Sequence, residues 1–463
     1  MNTTITANNY EDSAGAINSM PVRNVVMGLG QTGLSCARFL SAQGENVTVV
    51  DSRSRPPAVA AAAREVPKAK LSVGRFDTDL LDNADRVIVS PGIALDEPFV
   101  REARRRDIPV YGDIELFARA ATSPVIAITG SNGKSTVVTM VRDALREAGH
   151  SALAGGNLGP PALDLLRKGS VDFYVLELSS FQLERTHTLS PAVAVVLNVS
   201  PDHLDRHNDV ADYARTKFLV YGNATIAVVN RDDAAVKAMK PNVVKVISFG
   251  LDTPGDGDFG VIADPDDSVD LSLAHGTRHL MSVRELNVPG RHNVANALAT
   301  LAICNAVGVS IERVVAALRS FTGLPHRTQQ ISELDGIKFV NDSKATNVGA
   351  ASAAIRGLEG PLVLIAGGDG KGADFSALAQ ALAGKARAAV LIGRDAPVMQ
   401  SVLESVCETR RASSMADAVA IARELAQPGD MVLLSPACAS QDMFEDFAAR
   451  GAAFVQAVTG DKA

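Results

Sequence analysis

Residues 125–136, V-I-A-I-T-G-S-N-G-K-S-T, constrain the fold of this chain more than any other stretch. A run of apolar, mostly β-branched side chains enters a short turn bounded by Gly130 and Gly133. A periodic segment opens at Lys134, and residues 137–148 place apolar side chains at the spacing of an amphipathic helix. Strand, glycine turn and helix, in that order, are the context of a phosphate-binding loop. Glycines let backbone N–H groups converge on phosphate oxygens, and the helix N-terminus adds partial positive charge. The candidate nucleotide contacts are therefore Gly130, Ser131, Asn132, Gly133, Lys134, Ser135 and Thr136. Lys134 would reach the β- and γ-phosphates, and the Ser135 hydroxyl would ligate Mg²⁺. One departure from the common pattern is Ile128, which stands where a further glycine is usual. The competing reading is a glycine turn carrying a surface lysine.

A length of 463 residues predicts roughly three domains, each large enough for its own core. A hydrophobic fraction of 46% with 21% charged residues fits a soluble globular protein. The net charge of −7 argues against nucleic acid or an anionic membrane as partner. No apolar run approaches the roughly 18 residues of a membrane span. Residues 1–20 lack a basic start and an apolar centre, so no signal peptide is expected there. Cys36, Cys304, Cys407 and Cys438 are scattered without ligand spacing, as reduced thiols of a cytoplasmic enzyme would be.

Nearer the N-terminus, residues 24–33 read N-V-V-M-G-L-G-Q-T-G, followed by a helical stretch to Gln43 and a strand over 46–50 that ends at Asp51. G-x-G-x-x-G between strand and helix, with an acid about 20 positions on, is the dinucleotide fingerprint. The residues alone leave three readings open: NAD(P), another nucleotide-linked ligand, or a structural turn. Strand–helix alternation continues through 86–92, 98–106 and 109–111, and restarts near Gly112. Further on, residues 172–184 set Glu177 at the end of an apolar strand, as a metal ligand would be. Residues 192–198 form another buried strand leading into V-S-P-D-H-L-D-R-H, where His203 is as readily a neutral hydrogen-bonding side chain as a ligand, because Mg²⁺ prefers oxygen. The acidic stretches 255–258 and 264–270 read as solvated loops, and His275 and His279 as flanking a hairpin turn at Gly276.

The segments 130–136, 176–184 and 197–207 resemble the central domain of the Mur ligase family. Residues 290–300 (G-R-H-N-V-A-N-A-L-A-T), 325–328 (P-H-R-T), 341–347 (N-D-S-K-A-T-N), 367–372 (G-G-D-G-K-G) and 434–444 extend the resemblance from about Asn24 to the C-terminus. The last of these stretches, with the G-L-G-x-T-G opening, is most similar to the D-glutamate-adding branch. The resemblance implies an α/β protein of three domains. Residues 1–112 would be a Rossmann-like domain, 113–323 a P-loop ATPase-like domain with a mostly parallel sheet, and 324–463 a second Rossmann-like domain. It also implies ATP, two Mg²⁺ sites that Mn²⁺ could fill, and the substrates UDP-N-acetylmuramoyl-L-alanine and D-glutamate. The enzyme would be a cytoplasmic monomer of peptidoglycan precursor synthesis.

Residue roles follow from the same resemblance. Gln31, Thr32, Asp51, Ser52, Arg53, Ser90 and Gly92 would hold the UDP group, with Asn157, Ser179 and Gln182 as further precursor contacts. Asn293 and Asn296 would lie near adenine, and Arg327 and Asp342 would hold phosphate and ribose. Thr346, Lys371, Ser440 and Phe447 would receive the glutamate, although Lys371 also reads as a surface charge in a G-D-G-K turn. The catalytic set would be Lys134, Glu177, His203 and Lys217, with metal bound by Ser135, Glu177, His203 and Lys217. Lys217, on the expected helix 209–221, would act as a carbamate formed with CO₂, turning a cation into an oxygen ligand. A lysine reaching solvent from that helix is the alternative. An NAD(P)-linked oxidoreductase, a nucleotide-driven switch or motor ATPase, and a folylpolyglutamate-type ligase are the other function classes. The last would not need the N-terminal nucleotide fold.

Overall fold

The computed structural model describes residues 21–157, 159–203, 206–264, 270–288, 290–358 and 360–460. The expectation for residues 1–20, most of the acidic stretch 264–270 and two positions of the 197–207 motif lie outside these. Two compact units divide the chain, Met1–Tyr111 and Gly112–Ala463.

The first unit carries β1 (Arg23–Met27), β2 (Asn46–Asp51), β3 (Lys70–Val73), β4 (Arg86–Val89) and β5 (Val110–Tyr111). They form one parallel sheet in the order β3-β2-β1-β4-β5. Strands buried on both faces read as near-continuous apolar runs, which is why N-V-V-M and R-V-I-V were legible. Met27 is level with Val50 and Val89, so the loops after β1, β2 and β4 open at one edge of the sheet. The strand order reverses at β1, which makes that edge the natural crevice of an open α/β sheet. The helix Gln31–Ala42 starts against the turn because Gly33 has no side chain. A Cβ there would lie 1.7 Å from the Gly28 carbonyl oxygen.

The second unit holds two sheets. β6 (Val125–Thr129), β7 (Ala152–Gly156), β8 (Phe173–Glu177), β9 (Val193–Val196), β10 (Ile226–Asn230), β11 (Lys245–Phe249), β12 (Phe259–Ala263), β13 (Leu271–His275) and β14 (Arg278–Ser282) run in the order β14-β13-β12-β11-β10-β9-β6-β8-β7. Pairing is parallel except along β12-β13-β14. The antiparallel extension was not foreseen, although the hairpin at Gly276 was. His275 stacks on Phe259 at 4.4 Å, so it is packed away as an aromatic neighbour. Helix Lys134–Glu147 shares one core with the helices Arg291–Ala306 and Ile311–Ser320, which buries Val137, Val141, Leu298, Leu301 and Val314.

β15 (Gln329–Leu334), β16 (Ile337–Asn341), β17 (Leu362–Gly367), β18 (Ala386–Ile392), β19 (Glu408–Arg411) and β20 (Met431–Leu434) make the last sheet, in the order β15-β16-β20-β17-β18-β19. Only the β15–β16 hairpin is antiparallel. Apolar cores cover both faces, one around Leu364 and Leu433, the other around Val363 and Phe454. The final helix begins at Phe447, because Asp446 caps it by accepting from the Ala449 amide.

Candidate active site

β6, V-I-A-I-T, is buried along its whole length, so the chain leaves the middle of the central sheet directly into the glycine turn. Gly133 caps the following helix at φ +81°, and a Cβ there would meet Asn296 Oδ1 at 2.6 Å. The turn therefore needs glycine both for conformation and for space. Lys134 folds back over it, donating from Nζ to the carbonyl oxygens of Gly130 and Ser131 at 2.8 Å each. Burial lowers the pKa of its ammonium, while Glu177 and Asp202 oppose that shift.

The apex of the turn is fastened to the segment after β9. Asn198 Oδ1 accepts from the Asn132 amide at 2.8 Å, and Asn198 Nδ2 donates to the Asn132 carbonyl at 3.0 Å. Ser131 Oγ donates to the Ser200 carbonyl and accepts from the Ser200 amide. This network holds the loop N–H groups in one arrangement before any anion arrives, which is what a phosphate cradle requires.

Glu177 ends β8 beside the loop, and its carboxylate is buried. Ser135 Oγ donates to its Oε2 and Asn157 Nδ2 to its Oε1, both at 2.7 Å. Among the described residues no three His, Cys, Asp or Glu side chains are gathered into a ready-made metal cage. A site with one carboxylate, one hydroxyl and room for phosphate oxygens suits Mg²⁺, which keeps several waters and binds few protein groups. The donor set thus fits that ion. His203 follows at φ +56°, its amide bonded to Asp202 Oδ1 and its ring edge-on to Phe181 at 5.0 Å.

Behind the loop, Lys217 comes from the helix Val210–Phe218, which Asp209 caps, and is 1% exposed. Its Nζ donates to the Gly130 carbonyl at 2.9 Å and stands 4.1 Å above the Tyr213 ring. Burial first, and then Lys134, holds this amine well below the ordinary lysine pKa. The reading of a lysine reaching solvent is thereby corrected, since desolvation and the inward direction of the helix face keep it inside. Lys217 is not among the residues that line the cleft.

The cleft is open, with a volume of about 490 Å³. Ser131–Thr136, Asn157, Glu177, His203, Asn293 and Asn296 line one side, and Arg327, Asp342 and Thr346 the other. Arg327 donates to Ser135 Oγ from a backbone in which both its neighbours, His326 (φ +61°) and Thr328 (φ +47°), are left-handed. Such a conformation is strained for a β-branched residue. Asp342 accepts from the Thr328 amide and from Ser435 Oγ, and burial pushes its carboxyl up to about 6. Asn296 donates to Asn293 Oδ1, and both are buried at the start of the helix Arg291–Ala306.

Profiles of known families match three stretches: "Mur ligase MurD-like, N-terminal domain" over residues 22–112, "Mur ligase middle domain" over 128–304, and "Mur ligase, glutamate ligase domain" over 326–438. The chain belongs to the Mur ligase family. A UDP-N-acetylmuramoylalanine–D-glutamate ligase of Nitrosococcus oceani is 50% identical over 437 residues, covering 94% of this chain and 96% of that one. The ligase of the same name from Pseudomonas savastanoi is 49% identical over 438 residues, 94% of this chain and 97% of the relative. The solved UDP-N-acetylmuramate-alanine ligase of Thermotoga maritima shares the fold at a TM-score of 0.60 and 19% identity, over 94% of this chain and 98% of that one. The protein is therefore a ligase of three α/β domains in an ATP-dependent, Mg²⁺-using family.

The remaining residues expected from the Mur ligase resemblance fall in several places. In the first unit, Gln31 is exposed at the start of its helix, with Thr32 beside it. Ser52, Arg53 and Gly92 are exposed, and Ser90 is half-buried. Asp51 accepts from the Leu29 amide at 2.7 Å and from the Arg53 amide and Nε, and Arg53 lowers its pKa to about 2. Its first task is to hold the glycine turn. In the second unit, Gln182 closes a capping box with Ser179 and donates to the buried Asp113, so both its polar ends are engaged. Lys371 is exposed at φ +53°, Ser440 is buried, and Phe447 starts the last helix; none of the three lines the cleft. The sequence reading missed Lys344, whose Nζ lies 3.9 Å over the Phe447 ring and which lines the cleft two residues before Thr346. Asn198 and Asn347 were missed as well, because short polar residues in loops carry no periodic signal, whereas Asp202, in the His/Asp cluster of 199–207, does line the cleft.

Proposed function

We propose that this ligase joins D-glutamate to UDP-N-acetylmuramoyl-L-alanine at the expense of ATP, the joining for which its relatives of 50% and 49% identity are named. The observation that carries this reading is the cleft in which Lys134, Ser135 and Glu177 face Arg327, Asp342 and Thr346. The precursor carboxylate attacks the γ-phosphorus of ATP, forming an acyl phosphate and releasing ADP. The glutamate amine then attacks the acyl carbon, phosphate leaves, and the amine loses a proton to give the amide. Two anions meet in the first step, so Lys134 and Arg327 act by offsetting their repulsion as charge shifts. Bound Mg²⁺, held by Ser135 and Glu177, supplies charge neutralisation on the phosphate oxygens.

In this reading Gln31, Thr32, Ser52, Arg53, Ser90 and Gly92 receive the UDP group at the edge of the first sheet, with Asp51 shaping the turn. Asn157, Ser179 and Gln182 attend the precursor, Asn293 and Asn296 the adenine, and Lys371, Ser440 and Phe447 the amino acid, with Thr346. Domains would span 1–112, 113–323 and 324–463. Lys217 would carry the carbamate and, with His203, complete a second metal site. The enzyme would work as a cytoplasmic monomer. Among the described residues no helix is long and apolar enough to cross a membrane.

The test is phosphate release with ATP and UDP-N-acetylmuramoyl-L-alanine against a panel of amino acids, both enantiomers included. Release that depends on the precursor and on D-glutamate is the expected result. Turnover without the precursor, or selection of another amino acid, would overturn the proposal.

A further inference from the structure

Asn347 follows Thr346 and caps the helix Val348–Gly357, its Oδ1 accepting from the Ala350 amide at 2.8 Å. Because Oδ1 faces an N–H, the other end of the carboxamide must be the donor. That Nδ2 donates to Asp202 Oδ2 at 2.9 Å and reaches Asn132 Oδ1 at 3.3 Å, residues 145 and 215 positions away in sequence. One side chain thus connects the segment 342–347 to the apex of the phosphate loop and to the loop before His203. The backbone follows closely, since a Cβ on Gly349 would lie 3.0 Å from Ser200 Oγ. The receiving side is stiff, because Asn132 and Ser131 are already fastened to Asn198 and Ser200. A carboxamide offers an acceptor to the helix and a donor to a carboxylate on two separate atoms; aspartate caps the helix but has no donor, and the shorter serine would have to serve both partners from a single hydroxyl.

We infer that Asn347 is a positioning residue, a latch that aligns Lys344 and Thr346 with the phosphate loop so that the glutamate amine meets the acyl phosphate. The inference rests on the proposed function for its substrate, and on the geometry for the latch. Removing the donor leaves Asp202 facing a gap, and the segment 344–346 loses its register on Lys134.

The test compares Asn347→Ser, which keeps a cap and removes the bridge, with Asn347→Asp, which keeps a cap and sets a carboxylate against Asp202. For Asn347→Ser, kcat/KM for D-glutamate is expected to fall about tenfold to a hundredfold, the size of a lost hydrogen bond to a charged group. Affinity for a non-hydrolysable ATP analogue should change less than about threefold, and the melting temperature by no more than a few degrees. Asn347→Asp should be worse than Asn347→Ser. Amide hydrogen exchange with the ATP analogue alone should quicken over 131–134 and 199–203 in both variants. Wild-type kcat/KM with unchanged exchange would overturn the latch. So would equal losses toward all three substrates together with a large drop in melting temperature, the mark of a purely structural residue. If the wild-type protein does not turn over the proposed substrates, the functional reading fails on its own, and the exchange comparison still decides the latch.

Discussion

The ammonium of Lys217 donates to the carbonyl oxygen of Gly130 at 2.9 Å, joining the helix after the His203 loop to the first glycine of the phosphate loop. Among the described residues no carboxylate is in hydrogen-bond contact with this buried lysine, which makes it costly as a cation, and desolvation with the nearby Lys134 drives its pKa well down. A neutral amine is what CO₂ requires: the nitrogen lone pair forms the N–C bond and a proton leaves. Lys217→Ala is therefore expected to lose about a hundredfold or more in ligation, with partial rescue by acetate. On the proposed carbamate reading, a fall in pH would protonate the amine and remove the adduct, so activity should drop on the acid side and added bicarbonate should partly restore it. A carbonyl signal from ¹³C-bicarbonate that is absent in Lys217→Ala would report the adduct directly. Full activity of Lys217→Ala without any added carboxylate would exclude the role.

How much of this was legible in the chain follows from period and spacing. The strands around Val26, Ile126 and Val195 are buried on both faces, so each reads as a short apolar run between turn residues. The phosphate loop was readable because its glycines answer to a local backbone need at fixed spacing. The strand E-T-R-R over 408–411 gave no such signal, since it lies at a sheet edge and is mostly exposed. Lys344 and Asn347 stand in the motif 341–347, yet their roles were not legible for a different reason. Their roles are set by Phe447, Asp202 and Asn132, partners more than 100 residues away that no local pattern identifies.

Lys344 titrates in a useful range. Burial, then Arg327, lowers its pKa to about 8, against the opposing pull of Glu177. Only the protonated form can pair with an amino-acid carboxylate. KM for D-glutamate is accordingly expected to climb above pH 8, up to about tenfold per pH unit, while KM for ATP changes less. Lys344→Met should raise KM for D-glutamate at pH 7 and flatten this rise. A pH profile of Lys344→Met that keeps the wild-type slope would dismiss the assignment.

Arg450 is 1% exposed in the last helix, and its hydrogen-bond partners among the described residues are all neutral. Its guanidinium donates to Ser343 Oγ and O, and to the carbonyls of Cys438 and Ala439. It therefore ties the strand-end loop bearing Asp342 and Lys344 to the one bearing Ser440. Burial brings its pKa down to about 10, so it stays charged at neutral pH. Arg450→Met abandons several buried carbonyls and should cost on the order of 2–4 kcal/mol in urea unfolding. Arg450→Lys should recover little, because one ammonium cannot span the fork. Native stability in Arg450→Met would mean that the loops are held by packing alone.

Asp342 gives stability a pH dependence of definite sign. Burial raises its carboxyl from 3.8 to about 6, more than Ser435, Thr328 and Arg327 together lower it. Below about pH 4 the group is protonated in both folded and unfolded chains, and it contributes nothing to the balance. Between about pH 4 and 6 the unfolded chain ionises while the folded one keeps its proton, so the stability contributed by this group falls as pH rises. Above about pH 6 both are ionised and the loss levels off, on the order of 3 kcal/mol at about 1.4 kcal/mol per pKa unit. Asp342→Asn keeps an acceptor oxygen for the Thr328 amide, sets an NH2 donor against Ser435 Oγ, whose hydroxyl can turn to accept, and has no titrating group, so it should lack this component. Urea midpoints of the two proteins, taken from pH 4 to 7, are expected to move apart in favour of the variant up to about pH 6 and then run parallel. A difference that stays constant over the whole range would place the carboxylate in a far better solvated setting than its hydrogen bonds to Thr328 and Ser435 describe.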